Sequence, residues 1–155
     1  MSRAFVKEQD GDGGEDLPEL AVSPHRNLVT PDGLAHMDEQ LRRLDAALTV
    51  ARAAGERATM ARIERDRRYW SRRRATAEVV PPPGGPHEPV RFGSRVTIES
   101  GAGQRVQFRI VGEDEADPAA GRISWVSPMA ESLLGAVTGD TLPFQSGEAE
   151  IVAIE

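Results

Sequence analysis

Phe108-Arg109-Ile110-Val111-Gly112-Glu113-Asp114-Glu115-Ala116-Asp117-Pro118 decides the reading of this 155-residue chain. Val106, Phe108 and Ile110 recur at a period of two, the mark of a half-buried strand, and the run stops at Gly112. Acids and a proline follow at once, so the backbone must turn there. Working outward, Val96 and Ile98 carry the same period upstream, with Gly101-Ala102-Gly103-Gln104 fitting a hairpin turn between the two strands. Downstream, Ser127-Pro128 starts a short helix with serine at the N-cap and proline at the first helical position, ending at Gly135. Ile151 and Ala153 supply a last strand. The spacing predicts a small antiparallel β-domain with one short helix over residues 90–155.

Before this domain, Pro81-Pro82-Pro83-Gly84-Gly85-Pro86 cannot continue a helix and reads as a linker over 81–89. Residues 27–80 carry a different period. Thr30-Pro31-Asp32 gives a capping hydroxyl, an N1 proline and a first-turn acid. Leu34, Met37, Leu41, Leu44, Leu48 and Ala51 then recur at alternating intervals of three and four, a coiled-coil seam. Gly55 breaks it. Met60, Ile63 and Trp70 resume the pattern, with Arg67 and Arg74 at intervening seam positions and Ala77 and Val80 beyond, which predicts an antiparallel helical hairpin. Residues 1–26 hold six acids among glycines and no periodicity, so a disordered acidic tail is expected. The fold class is α+β.

The chain has no cysteine, which removes thiol catalysis, disulfides and thiolate metal sites. No apolar run reaches the roughly 18 residues of a membrane span, and no secretory signal is recognisable; a cytoplasmic, monomeric protein is expected. The net charge of −6 hides a strong polarity: residues 51–75 contain nine arginines and three acids, while residues 90–155 contain five bases and ten acids. Such fields steer association with a charged partner. The arginines wrap around the helix, and Tyr69-Trp70 are adjacent instead of spaced for stacking, so only indirect or weak nucleic-acid contact is left open. His25, His36 and His87 lie in separate segments with no nucleophile or ligand partner at recognisable spacing. No cofactor or metal site is expected.

The run Ile110 to Asp117, followed by Ile123-Ser124, Ser127-Pro128, Leu133 to Gly135 and Gly139-Asp140, resembles the C-terminal domain of the bacterial elongation and transcript-cleavage factors GreA and GreB. Val90 to Ile98 is similar to that domain's first strand, and Asn27 to Leu34 to the family's threonine-x-x-glycine helix start. The resemblance implies an FKBP-like fold for the second domain and RNA polymerase as partner, approached through its secondary channel. It also implies a polymerase-docking surface at Asp114, Glu115, Asp117, Ser127 and Pro128, and a channel-facing hairpin bearing Arg52, Glu56, Arg57, Arg62 and Arg65.

In the family an acidic pair at the hairpin tip helps hold magnesium in the polymerase's own active centre, which takes two hard carboxylates close together. Here Gly55 to Met60 offers only Glu56. The 21 residues from Leu34 to Ala54 make an arm of roughly 31 Å, short against the family pattern. The reading is therefore a non-enzymatic elongation regulator without strong cleavage stimulation. Three variants stand beside it: a competitor of true cleavage factors similar to the regulator Rnk, a functional cleavage factor using Glu56, and an FKBP-like prolyl isomerase or peptide-binding module.

Overall fold

The computed structural model describes residues 17–155. A two-residue strand, β1 (Leu28–Val29), leads into helix α1 (Pro31–Ala54), and helix α2 (Arg57–Ala75) returns antiparallel to it. Thr30 caps α1 as its spacing predicts, its Oγ1 accepting from Gly33 N at 3.1 Å. Gly55 ends α1 in the left-handed region at φ 68°, where only glycine turns at no steric cost. Met37, Leu48 and Ala51 are buried in the seam, whereas Leu34, Leu41 and Leu44 are half-buried. Arg67 and Arg74, at the seam positions the pattern gives them, reach across to α1: Arg67 to Asp45 at 2.7 Å and Arg74 to Asp38 at 2.6 Å.

The α2 helix is shorter than the seam predicts. It stops at Ala75, where Thr76 Oγ1 bonds Arg72 O at 3.0 Å and Asn27 Nδ2 bonds Arg73 O at 2.6 Å. The chain then forms β2 (Glu78–Val79), pairing in parallel with β1 through Glu78 N to Asn27 O at 2.8 Å and Val80 N to Val29 O at 2.9 Å. The base of the 27–80 segment is thus a strand pair, and Ala77 and Val80 are not helical.

A five-stranded sheet follows, built from β3 (Arg95–Ser100), β4 (Arg105–Val111), β5 (Arg122–Ser124), β6 (Thr141–Phe144) and β7 (Gly147–Ile154), in the order β5-β4-β3-β7-β6. It is not wholly antiparallel, as the periodicity suggested: β5 runs parallel to β4, with Ile110 opposite Ile123. The 3-10 turns Glu113–Glu115 and Pro118–Ala120 carry the chain back to the start of the sheet edge and impose that direction. The short helix α3 (Pro128–Leu133) packs Ala130 and Leu133 into a core with Val96, Ile98, Ile110 and Ile151. Its N-cap is the predicted one, Ser127 Oγ accepting from Ala130 N at 3.2 Å.

Of the expected disordered tail, residues 1–16 lie outside the described residues, while 17–26 are laid against the molecule. Glu19 pairs with Arg68 at 2.6 Å, Arg26 with Glu78 at 2.5 Å, and the His25 ring meets the edge of Trp125 at a centroid distance of 6.2 Å. No helix among the described residues is long and apolar enough to cross a membrane.

Candidate functional site

The acidic turn sits where the hairpin base meets the sheet, and a 3-10 turn determines what it does there. At three residues per turn, successive side chains diverge by about 120°, so Glu113, Asp114 and Glu115 point in three directions. Asp114 faces α2, where Tyr69 and Arg73 lie one turn apart on one face. Its Oδ2 accepts from Arg73 Nε at 2.5 Å and its Oδ1 from the Tyr69 hydroxyl. The Arg73 side chain is only 2% exposed and that of Asp114 10%; Glu113 Oε2 stands 3.7 Å from the same guanidinium. Burial, reinforced by the Asp114 carboxylate that accepts its proton, pushes the Tyr69 phenol up to about 12.

Glu115 faces the other way, toward the start of α1. Its Oε2 accepts from Thr30 N and from Gly112 N, both at 3.0 Å, and its Oε1 accepts from the Thr30 hydroxyl. Two glycines admit this carboxylate. A Cβ at Gly33 would overlap the Glu115 side chain, and one at Gly112 would lie 2.5 Å from Leu28 O. Gly112 has φ −67°, an ordinary value, so close approach and not backbone freedom demands glycine there. A threonine-x-x-glycine from the hairpin and a glycine-x-x-glutamate from the β-domain thus interlock into one clamp.

Of the five docking residues expected from sequence, Asp114 and Glu115 are therefore engaged inside the molecule, because each is the nearest carboxylate to a buried donor of the hairpin. Asp117 is not: its side chain is 45% exposed, with one loose pair to Arg122 at 3.3 Å. Asp117 and Ser127-Pro128 bracket β5, the edge strand of the sheet. A groove of about 490 Å³ lies beside Asp117, lined also by Asp32, Gly33, His36, Asp114, Glu115, Ala116 and Arg122.

At the far end of the hairpin, Arg52, Glu56, Arg57 and Arg62 are exposed. Glu56 is the N-cap of α2 but makes no side-chain cap bond. It is the only acid between Asp45 and Glu64, so no second carboxylate stands near it in the sequence. Arg65 is set apart from these, its guanidinium 22% exposed and turned onto Asp66 at 2.8 Å. Sequence reasoning missed Tyr69, Arg73, Thr30 and Gly33 as parts of the acidic turn's surroundings; the only local signal was a glycine in the first turn of a helix, which costs stability unless something approaches closely.

Residues 85–155 match the family model described as transcription elongation factor, GreA/GreB, C-terminal. Transcription elongation factor GreA of Phenylobacterium zucineum is 32% identical over 133 residues, covering 74% of this chain and 85% of that protein. Transcription elongation factor GreB of Xanthomonas axonopodis pv. citri is 36% identical over 126 residues, covering 69% and 75%. Among solved structures, the GreA factor homolog 1 protein of Thermus thermophilus matches at 21% identity and a TM-score of 0.41, over 84% of this chain and 99% of that one.

Proposed function

This chain belongs to the GreA/GreB family of transcription elongation factors, and on that premise we propose that it regulates elongation by binding RNA polymerase at the secondary channel without strongly stimulating transcript cleavage. The β-domain, FKBP-like in this reading, is the anchor, and Asp117, Ser127 and Pro128 beside the edge strand form the docking surface. Asp114 and Glu115 hold the anchor to the hairpin, so their part in docking is to fix the hairpin's direction. The hairpin is the arm: α1, at 24 residues, is about 36 Å long.

The observation that carries the cleavage half of the reading is the tip itself. Glu56 stands alone between Arg52 and Arg57, and one carboxylate among guanidinium groups is a poor ligand for magnesium, which takes several oxygens in near-octahedral geometry. Any hydrolysis at the polymerase would be the polymerase's own chemistry, and this chain is not itself an enzyme in this reading.

The test is transcript cleavage by backtracked polymerase, with this chain alone and in competition with a cleavage-competent GreA. The expected outcome is little stimulation alone and dose-dependent inhibition in competition. Stimulation comparable to GreA would overturn the reading of the tip. Pull-down by polymerase should weaken for Asp117→Asn and Pro128→Ala, and unchanged capture of both would overturn the docking assignment.

A further inference from the structure

The outward face of the sheet carries a cluster that docking and clamp leave unused. Arg95 on β3 is the register partner of Arg109 on β4, and Arg109 is the register partner of Arg122 on β5. One row of three guanidinium groups therefore crosses three adjacent strands. With strands about 4.8 Å apart, the row spans about 10 Å. Like charges directly opposed across a ladder destabilise it, so the row is held against a local cost.

The acids within reach offset it only in part. Arg109 stands 3.6 Å from Asp32, whose side chain is 84% exposed, and Arg122 stands 3.3 Å from Asp117, itself 45% exposed. Pairs this solvated are worth little and yield to a better anion. Arg95 is exposed and makes no ion pair among the described residues. The three arginines line one groove of about 340 Å³ with Gln107, Ala120 and Gly121. Arg109, in the centre, is only 22% exposed, so its head is positioned by its neighbours instead of waving in solvent.

We propose that this row is a phosphate-binding site taking two or three closely spaced phosphates, from a single-stranded nucleic-acid backbone or from a free polyphosphate. Guanidinium groups present a fork that matches phosphate oxygens two at a time. The groove lining has no aromatic or large aliphatic side chain, the anchors on which protein partners and stacked bases rely. The site therefore holds the backbone without reading sequence.

The test uses the full chain and a labelled single-stranded oligonucleotide of random sequence, followed by fluorescence anisotropy across a salt series, with tripolyphosphate as competitor. The Arg95→Ser/Arg122→Ser double variant should bind more weakly and lose about 1.4 from the slope of log affinity against log salt, roughly 0.7 for each single-strand phosphate contact removed. Arg68→Ser/Arg72→Ser on α2 serves as the control for the hairpin's own charge and should keep the sheet's contribution. Arg95→Glu alone, at the arginine without an ion pair, should weaken binding while the thermal midpoint holds or rises, because it replaces the like-charge opposition to Arg109 with an attraction, and this separates lost contact from lost fold. Displacement by tripolyphosphate supports a free polyphosphate as a sufficient ligand, and resistance to it supports a nucleic-acid backbone. Absence of binding to both the oligonucleotide and tripolyphosphate, the latter followed by titration calorimetry, or binding whose affinity and salt slope survive both sheet variants, would overturn the proposal.

Discussion

Replacing Asp114 by Asn removes the charge that compensates Arg73, and the consequence can be worked from the geometry. Arg73 is 2% exposed and its Nε bonds Asp114 at 2.5 Å, so the variant leaves a buried cation with only Glu113, 3.7 Å away, to face it. Breaking a buried pair by removing one partner costs about 3 to 5 kcal/mol, and the remaining Glu113 places this case near 3. At about 2 to 4 °C per kcal/mol for a chain of this size, the thermal midpoint should fall by roughly ten degrees. A spectroscopic readout accompanies it, because Tyr69 is the chain's one tyrosine and its ionisation is visible without labelling. In the native protein the phenol is pushed up to about 12 from its ordinary 10.0, by burial first and by Asp114 second. A group whose folded pKa is raised contributes stability that is whole below its unfolded value and lost as pH climbs through the folded one. Stability should therefore decline between about pH 10 and 12 in the native protein, with the effect reduced by the partial exposure of the ring. In Asp114→Asn the ultraviolet phenolate titration should move down toward the ordinary value. An unchanged melting midpoint together with an unchanged titration would refute the claim that Asp114 is the buried counter-ion.

The clamp on the other side gives two further expectations. Gly112→Ala would put a methyl 2.5 Å from Leu28 O, and relieving that overlap should cost about 1 to 3 kcal/mol in urea unfolding even though the backbone angle suits alanine. Stability equal to the native chain would show that β1 can retreat freely. Thr30→Ala removes both the N-cap acceptor of α1 and the hydroxyl that donates to Glu115. The cap alone is worth about 0.5 to 2 kcal/mol, so a loss above that range in the same unfolding measurement separates the link to the β-domain from the cap, and a loss below it would argue against the link.

The two halves of this molecule were legible from sequence to different depths. The strands around Phe108 and Ile110 and the helices around Leu44 and Met60 declare themselves through local period, and Thr30, Gly55 and Ser127 mark helix ends by chemistry that acts within four residues. The clamp does not act locally. Arg73 and Asp114 are 41 residues apart, Thr30 and Glu115 are 85 apart, and Arg73 is one of nine arginines in its segment with nothing in its neighbourhood to single it out. The end of α2 was misread for a related reason. Ala77 and Val80 are in phase with the helical seam, but Val80 N is taken by Val29 O and Glu78 N by Asn27 O, partners some fifty positions away. The direction of β5 escaped because three residues, Arg122 to Ser124, carry too short a pattern to fix a register or an orientation.

The clamp also separates two properties that an acidic turn alone would merge. If Asp114 and Glu115 touched the polymerase directly, their replacement would weaken capture as much as replacement of Asp117. In the structure they are spent on Arg73, Tyr69 and Thr30, so the β-domain and the hairpin are joined at this turn, while the docking surface proposed above, at Asp117, lies just beyond it. A hairpin held at its base by one buried ion pair and one threefold-bonded carboxylate cannot swing without breaking them, and the direction of a 36 Å arm is set by what happens at that base. Loosening it should leave the anchor's affinity intact and blunt the arm's effect. Arg73→Met, examined below its melting midpoint, should therefore be captured by polymerase like the native chain and yet lose its power to inhibit cleavage in competition with GreA. Parallel losses of capture and inhibition would place the clamp residues in the docking surface after all, and retained inhibition would show that the arm needs no fixed direction.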